Sequence, residues 1–237
     1  KASLLPKFLF YNRPDLLSIK NFAKEVSAIF GLEFKDDEYS ITPTFKNEFT
    51  ITSKTSKCSQ FASREIKNIV IKPSPKWMQD ILMASGIRSI NNIVDIGNYV
   101  MLMTGQPLHM YDVDKLDKKE LYASSSYQGD FVALDEKTYS LNEGDIVICT
   151  NGKVMCLGGV MGSLYCAVDE NSKNIAIESA SFDGASIRRT SSRLGLVSES
   201  SQRFVKGTNH FQAKYVIDFA TKLIMDLCEG NEISDII

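Results

Sequence analysis

The sequence predicts an α+β fold: a mostly antiparallel, sandwich-like β core flanked by helices. Apolar residues recur at helical spacing over residues 16–30, 75–84, 92–103 and 183–227. Between the last two of these regions, residues 121–177 break into apolar runs of strand length. Tight turns such as Asn151-Gly152 join those runs, which favours hairpins over βαβ units.

Asn12-Arg13-Pro14-Asp15 reads as a turn into the first helix, where Leu17, Phe22, Val26, Ile29 and Phe30 share one side and Gly31 ends the run. Residues 35–57 are polar and rich in Thr, Ser and Lys, with a short strand expected at 49–52. They read as a linker or hairpin region, with a domain boundary at about residue 52. Over 61–71 an imperfect alternation ends in Ile69-Val70-Ile71, expected as a buried strand. Ser74 is placed to cap a helix with Pro75 in its first turn, running to Ala84 and ended by Gly86. In the helix at 92–103, Ile93, Val94, Ile96, Tyr99, Val100, Leu102 and Met103 fall at near-helical spacing. Gly105 ends it, and Pro107 cannot continue it.

Short strands are expected at 121–124, 131–134, 138–141, 146–150, 153–157 and 174–177, with hairpin turns at Asp135-Glu136-Lys137 and Asn151-Gly152. Helices return at 183–193 behind an Asp183 cap, at 198–206 behind a Ser198 cap, and at 211–227 before Gly230. His210, in a polar Thr-Asn-His turn, reads as a helix cap.

At 237 residues, with 43% hydrophobic and 24% charged content, the chain has the composition of a soluble globular protein with a sizeable core. No apolar run approaches the roughly 18 residues that span a bilayer, and the opening Lys1–Asp15 is not a convincing signal peptide. Five cysteines without a CxxC pair fit reduced thiols, hence a cytoplasmic setting, better than a disulfide framework or a zinc site. The formal net charge of −2 provides no global field for nucleic acid, so any RNA contact must come from a local patch.

Four local features carry chemistry. His109, one of two histidines, directly follows Gly105-Gln106-Pro107-Leu108, a turn that the preceding helix would hold in place. Such a histidine suits acid-base or water-positioning work, although composition alone favours a satisfied core or surface histidine. In Cys156-Leu157-Gly158-Gly159-Val160-Met161-Gly162-Ser163, three glycines follow a strand. Missing Cβ atoms let a ligand approach the backbone, and a tight β turn is the plainer reading. The segment has neither GxxxxGK[ST] nor GxGxxG, which excludes an NTPase or dinucleotide loop. Glu178 ends an apolar strand, where a carboxylate needs a partner: a substrate hydroxyl, or the following turn. Arg188, Arg189, Arg193, Arg203 and Lys206 form a basic cluster on two adjacent helices, suited to phosphates or to ion pairs with Asp183 and Glu199. No Ser-His-Asp or Cys-His arrangement is readable, and with two histidines and no H-x-x-x-H no catalytic metal is expected.

The stretches NNIVDIGNYVMLMTGQPLHMYDVDKL, CLGGVMGS, IAIESASF and SIRRTSSRLGLVSESSQRFVKG occur here in that order, with SPKWMQDILMASGIRSI and NRPDLLSIKNFAKEVSAIFG before them. Together they resemble the beta subunit of bacterial phenylalanyl-tRNA synthetase, in its central B3/B4 editing region. The resemblance runs from about residue 10 to the end of the chain. It implies that residues 1–52 are the end of a B1-like region plus linker, and 53–237 the B3/B4 domain with an exit helix. It further implies a cytoplasmic protein whose partners are tRNA(Phe), the alpha subunit and the rest of the beta subunit in an α2β2 enzyme. ATP and Mg2+ would belong to the aminoacylation site elsewhere in that enzyme, leaving this region without a cofactor.

In that family the B3/B4 region hydrolyses tyrosine wrongly attached to phenylalanine tRNA. A pocket built for Phe rejects an added hydroxyl weakly, so a second sieve that reads the hydroxyl is useful. By resemblance, His109 and Glu178 are the editing residues, Glu178 binding the tyrosine hydroxyl and His109 serving position or polarity. Gly97, Pro107, Gly159, Gly162, Ser198 and Ser200 would bind the aminoacyl group, with Gly162 keeping the pocket open, and Arg188, Arg189 and Arg193 would meet the tRNA. Some positions depart from the family's pattern: Gly97 stands for a usual threonine, Ser198 for threonine, Ser200 for alanine, and Gly162-Ser163 for Gly-Gly. The competing reading is a non-catalytic tRNA-binding and assembly module whose editing pocket has decayed through Gly97 and Ser200.

Overall fold

Local chemistry sets most of the element ends. In the computed structural model, which describes residues 13–237, Pro14–Leu17 form a single 3-10 turn. Helix α1, Ile19–Phe30, starts where Ser18 accepts from the Asn21 N–H and stops at Gly31, whose left-handed conformation closes the last turn. The expected turn at Asn12 lies outside the described residues. Strand β1 (Thr50–Ser53) is followed by β2 (Cys58–Lys67), and then by helices α2 (Lys76–Ala84) and α3 (Asn92–Thr104). Asn91 caps α3 by accepting from the Val94 N–H, and Gly105 at φ 78° ends it.

Seven short strands follow in sequence: β3 (Leu108–Asp112), β4 (Glu120–Ser124), β5 (Gly129–Val132), β6 (Thr138–Leu141), β7 (Val147–Thr150), β8 (Lys153–Leu157) and β9 (Met161–Gly162). Asn151 and Gly152 both have positive φ, the geometry of the tight hairpin turn that their sequence predicts between β7 and β8. Strand β10 (Ile175–Phe182) leads to helices α4 (Gly184–Leu194), α5 (Glu199–Lys206) and α6 (Ala213–Cys228), and β11 (Glu232–Ile233) comes last. Asp183 caps α4, and Ser198 caps α5 in a reciprocal box with Ser201.

The expected α+β class with a mostly antiparallel core is the fold observed, with six α-helices among the described residues. One sheet has the order β11-β2-β10-β3, antiparallel throughout, and a second has the order β1-β4-β7-β8-β9, where only β1–β4 is parallel. A hairpin of β5 and β6 stands beside them. The first sheet is a partition between two cores. Ala176, Ala180 and Phe182 of β10 face a cluster shared with β4, β7 and β8, including Leu121, Ile148 and Leu157. Ile175 and Ile177 face the opposite cluster, with Ile93, Ile96 and Val100 of α3 and Val216, Ile217 and Ile224 of α6. Every residue of β10 is buried.

Several local expectations are corrected. Ile69-Val70-Ile71 is not a strand: Asn68 turns left-handed (φ 61°) after Lys67 and takes the chain out of the sheet. Ser74 does not cap α2, because its hydroxyl donates to buried Asp95 at 2.6 Å. His109 lies in β3 rather than in a turn, and β10 extends well past the 174–177 expected for it. His210 is not the cap of its turn: the Asn209 side chain accepts from Phe211 N–H, while the His210 ring bonds the Ser59 hydroxyl at 2.9 Å. The 52/53 boundary falls inside β1, and the Phe45 and Asn47 region is tied to residues 233–235. Among the described residues no helix is long and apolar enough to cross a membrane.

On the helix face of the partition sits a buried ion pair. Arg64 of β2 donates to Asp218 of α6 at 2.7 Å and also to the Ser234 carbonyl and the Thr221 hydroxyl, so its charge is well partnered. Asp218→Ala should therefore destabilise the fold by about 3–5 kcal/mol, because it strands a buried guanidinium. Urea unfolding checks this; a loss below about 1 kcal/mol would mean that the neutral partners suffice.

Candidate active site

A cavity of about 430 Å³ opens where the two sheets, α3, α5 and the β5–β6 hairpin meet. Gly97, Pro107, His109, Gly159, Gly162, Glu178, Ser198 and Ser200 all line it. These residues are spread over 104 positions from Gly97 to Ser200, and the fold gathers them. Asn98, Met101, Leu108, Leu134, Cys156, Val160, Met161, Phe182 and Phe204 complete most of the wall.

Sheet register puts the two ionisable residues side by side. On the central strand β10, Glu178 pairs with His109 of β3 on one flank and with Ser63 of β2 on the other. Directly paired residues point to the same face, so all three side chains face the core between the sheets. The Gln106 side chain fixes this approach, donating to the Ala180 carbonyl at 2.8 Å and to the Pro107 carbonyl at 3.1 Å. Glu178 is 4% exposed, and burial pushes its carboxyl up to about 7, offset in part by the hydrogen bond that Tyr111 Oη donates to Oε2. It does not cap the turn that follows β10.

His109 is half-buried as a residue, yet its Nε2 is sealed from solvent without a protein hydrogen-bond partner. Burial pushes the imidazole down to about 4, so the ring is neutral at pH 7. Its edge meets Tyr111, with ring centroids 4.5 Å apart. Gly162 makes room for it: a Cβ there would lie 2.4 Å from His109 Cε1. Gly159 has φ 69°, and a Cβ would come within 2.9 Å of Phe204. Ser198 donates to the Val160 carbonyl at 3.0 Å and Ser200 to the Gly159 carbonyl at 3.3 Å, so the two serines hold the glycine loop to the start of α5. Gly97 differs from these glycines. Its Cβ would meet only the flexible end of Met110, at 3.4 Å.

The basic cluster lies apart from the cavity. Arg203 is buried and donates to Glu199 at 2.9 Å, and Arg193 pairs with Asp145. Arg189 donates to the Ser186 hydroxyl, and Arg188 and Arg189 are both exposed on α4. Among the described residues no group of three or more His, Cys, Asp or Glu is placed to hold a metal. Sequence reasoning missed Tyr111. Its signal was the i, i+2 spacing from His109, which shares a face only if the segment is a strand.

Residues 57–229 match the family described as the B3/4 domain. The chain belongs to that family. It is also 42% identical over 224 residues to a phenylalanine–tRNA ligase beta subunit of Streptococcus thermophilus (strain CNRZ 1066), covering 93% of this chain and 28% of the relative. It is 41% identical over 224 residues to the phenylalanine–tRNA ligase beta subunit of Streptococcus mutans serotype c, with the same coverages. The chain thus spans just over a quarter of the length of these relatives. Among solved structures, an N-terminal fragment of the phenylalanyl-tRNA synthetase beta subunit from Pyrococcus horikoshii aligns with a TM-score of 0.43 and 16% identity, covering 71% of this chain and 52% of that one. The B3/4 match spans every residue lining the cavity.

Two predictions follow from the geometry. Gly162→Ala should displace the His109 ring and lower stability by about 1–3 kcal/mol, as overpacking does, whereas Gly97→Ala should be neutral or stabilising by up to about 1 kcal/mol. Thermal unfolding of both variants compares them. The second concerns pH. Glu178 binds its proton more tightly folded (about 7) than its ordinary value of 4.5, so its contribution is full below 4.5 and lost as pH rises through 7. Glu178→Gln does not titrate, so its stability relative to the native protein should rise between pH 5 and pH 8. A difference independent of pH would contradict the raised carboxyl. His109 has the opposite sign, native stability falling as pH drops from 6.5 to 4, and is common to both proteins.

Proposed function

We propose that this region hydrolyses tyrosine mischarged onto phenylalanine tRNA, reading the tyrosine hydroxyl with Glu178. The observation that carries the reading is a buried carboxyl, raised to about 7, at the wall of a largely apolar cavity. A carboxyl in such a place gains a second donor when a phenol enters and is left with one oxygen unpaired when a benzyl side chain enters. That difference discriminates Tyr from Phe where shape does not.

His109, neutral at pH 7 and at the cavity wall, is suited to a positioning or polarity role beside the ester, and with a value near 4 it is a poor general base at pH 7. The glycine loop held by Ser198 and Ser200 presents backbone close to the bound aminoacyl group. In the whole enzyme, the exposed Arg188 and Arg189, with Arg193 beside them, would meet tRNA phosphates, and the alpha subunit and the rest of the beta subunit would complete the assembly. The net charge of −2 makes binding by this region alone weak and salt-sensitive.

The test is deacylation of Tyr-tRNA(Phe) and Phe-tRNA(Phe) by the complete protein that carries this chain, with and without Glu178→Ala. The expected result is a loss of Tyr-tRNA hydrolysis of at least about tenfold. No Tyr-selective hydrolysis in the unmutated enzyme would leave an assembly or tRNA-binding role instead.

A further inference from the structure

Glu178 is already occupied on one side. Tyr111 Oη donates to Glu178 Oε2 from within the same sheet, since Tyr111 stands two residues beyond His109, the register partner of Glu178. Tyr111 is fully buried and does not line the cavity, so it sits behind the carboxyl while Glu178 itself reaches the wall. The acceptor proposed to read a substrate phenol is therefore held by a phenol of the protein.

We infer that Tyr111 is a specificity-positioning residue: by occupying Oε2 it leaves the other carboxyl oxygen as the single reader of a substrate hydroxyl. The inference rests on the editing reading and deepens it. With Tyr111 in place, an entering tyrosine supplies the second donor and the carboxylate is satisfied on both oxygens. An entering phenylalanine leaves one oxygen buried and unpaired, which penalises it. Without the Tyr111 hydroxyl, the buried carboxyl loses the one donor that favours its ionised form and takes up a proton. A neutral carboxyl is cheaper to bury beside a benzyl ring, and its O–H can turn to the unpaired Ser63 hydroxyl across the strand pair. Discrimination then falls, although the cavity keeps its shape.

The surroundings make Glu178 the group that titrates here near neutrality. The ionisable side chains packed around it are Tyr111 and His109 from β3, Cys58 from β2, Cys156 from β8 and Cys166 from the Leu164–Cys166 turn, and two further carboxylates, Asp135 between β5 and β6 and Glu199 of α5, line the same cavity. Burial raises the phenol and all three thiols and lowers the imidazole, so all five are neutral at pH 7.

The experiment measures hydrolysis of Tyr-tRNA(Phe) and Phe-tRNA(Phe) against pH in the complete protein, for the native enzyme, Tyr111→Phe, Glu178→Gln and the double variant. Tyr111→Phe keeps the ring and removes one hydroxyl. The Tyr/Phe ratio of kcat/KM should fall about tenfold. The rising limb of the Tyr-tRNA profile should move to higher pH, which a packing role would not produce. In the Glu178→Gln background, Tyr111→Phe should lower the ratio no further. An unchanged ratio and profile in Tyr111→Phe, or an equal further loss on top of Glu178→Gln, would overturn the inference while leaving the editing reading in place. Absence of Tyr selectivity in the native enzyme would overturn both.

Discussion

A carboxyl buried in the middle of a sheet that has apolar core on both faces is the constraint on which the site depends. Glu178 occupies β10, an interior strand paired on both sides, and every residue of that strand is buried. Isolated there it would be costly, since burying a charge without partners disfavours it by several kcal/mol. The structure settles it in two ways: one phenol donates to it, and its proton affinity is raised so that the charge is held only near and above neutrality. A group in that condition has something to gain from a second donor, which gives the cavity its selectivity in the proposed function.

The rest of the fold serves to bring backbone and rings close to that carboxyl. The glycine loop passes near enough to His109 that a single methyl at Gly162 would collide with the ring, and Gly159 turns left-handed against Phe204. Serine hydroxyls at the start of α5 hold the same loop from the other side. Gly97 plays no such steric part, so the absence of a threonine there leaves room without relieving any clash. Ser200, unexpected at an apolar position, is engaged with the Gly159 carbonyl rather than presenting an idle hydroxyl to the cavity.

Much of this was legible in the residues because local chemistry decides it. Caps at Asp183 and Ser198, the Gly105 stop and the Asn151-Gly152 hairpin are set by side chains within a few positions. The misreadings share a cause, which is tertiary pairing. Glu178-Ser179-Ala180-Ser181 looks like the polar exit from a strand, but β3 pairs with it as far as Ser179 and β2 pairs with it all the way to Phe182. His109 after Gln-Pro-Leu looks like a turn residue, yet β10 recruits it into the sheet. Reading that segment as a turn hid Tyr111, because only a strand sets residues 109 and 111 on one face. Ser74 was claimed by Asp95, 21 positions away, and Arg203 was drawn inside rather than left on a basic surface.

The most direct test of the central claim is the titration of the Glu178 carboxyl itself, followed by carbon NMR. It should be measured in the free protein and with non-hydrolysable tyrosyl and phenylalanyl adenosine analogues. The account predicts a free midpoint near 7 that lies lower in the tyrosyl complex than in the phenylalanyl one, because a phenol donor stabilises the ionised form. A free midpoint near the ordinary 4.5, or equal midpoints in the two complexes, would contradict it.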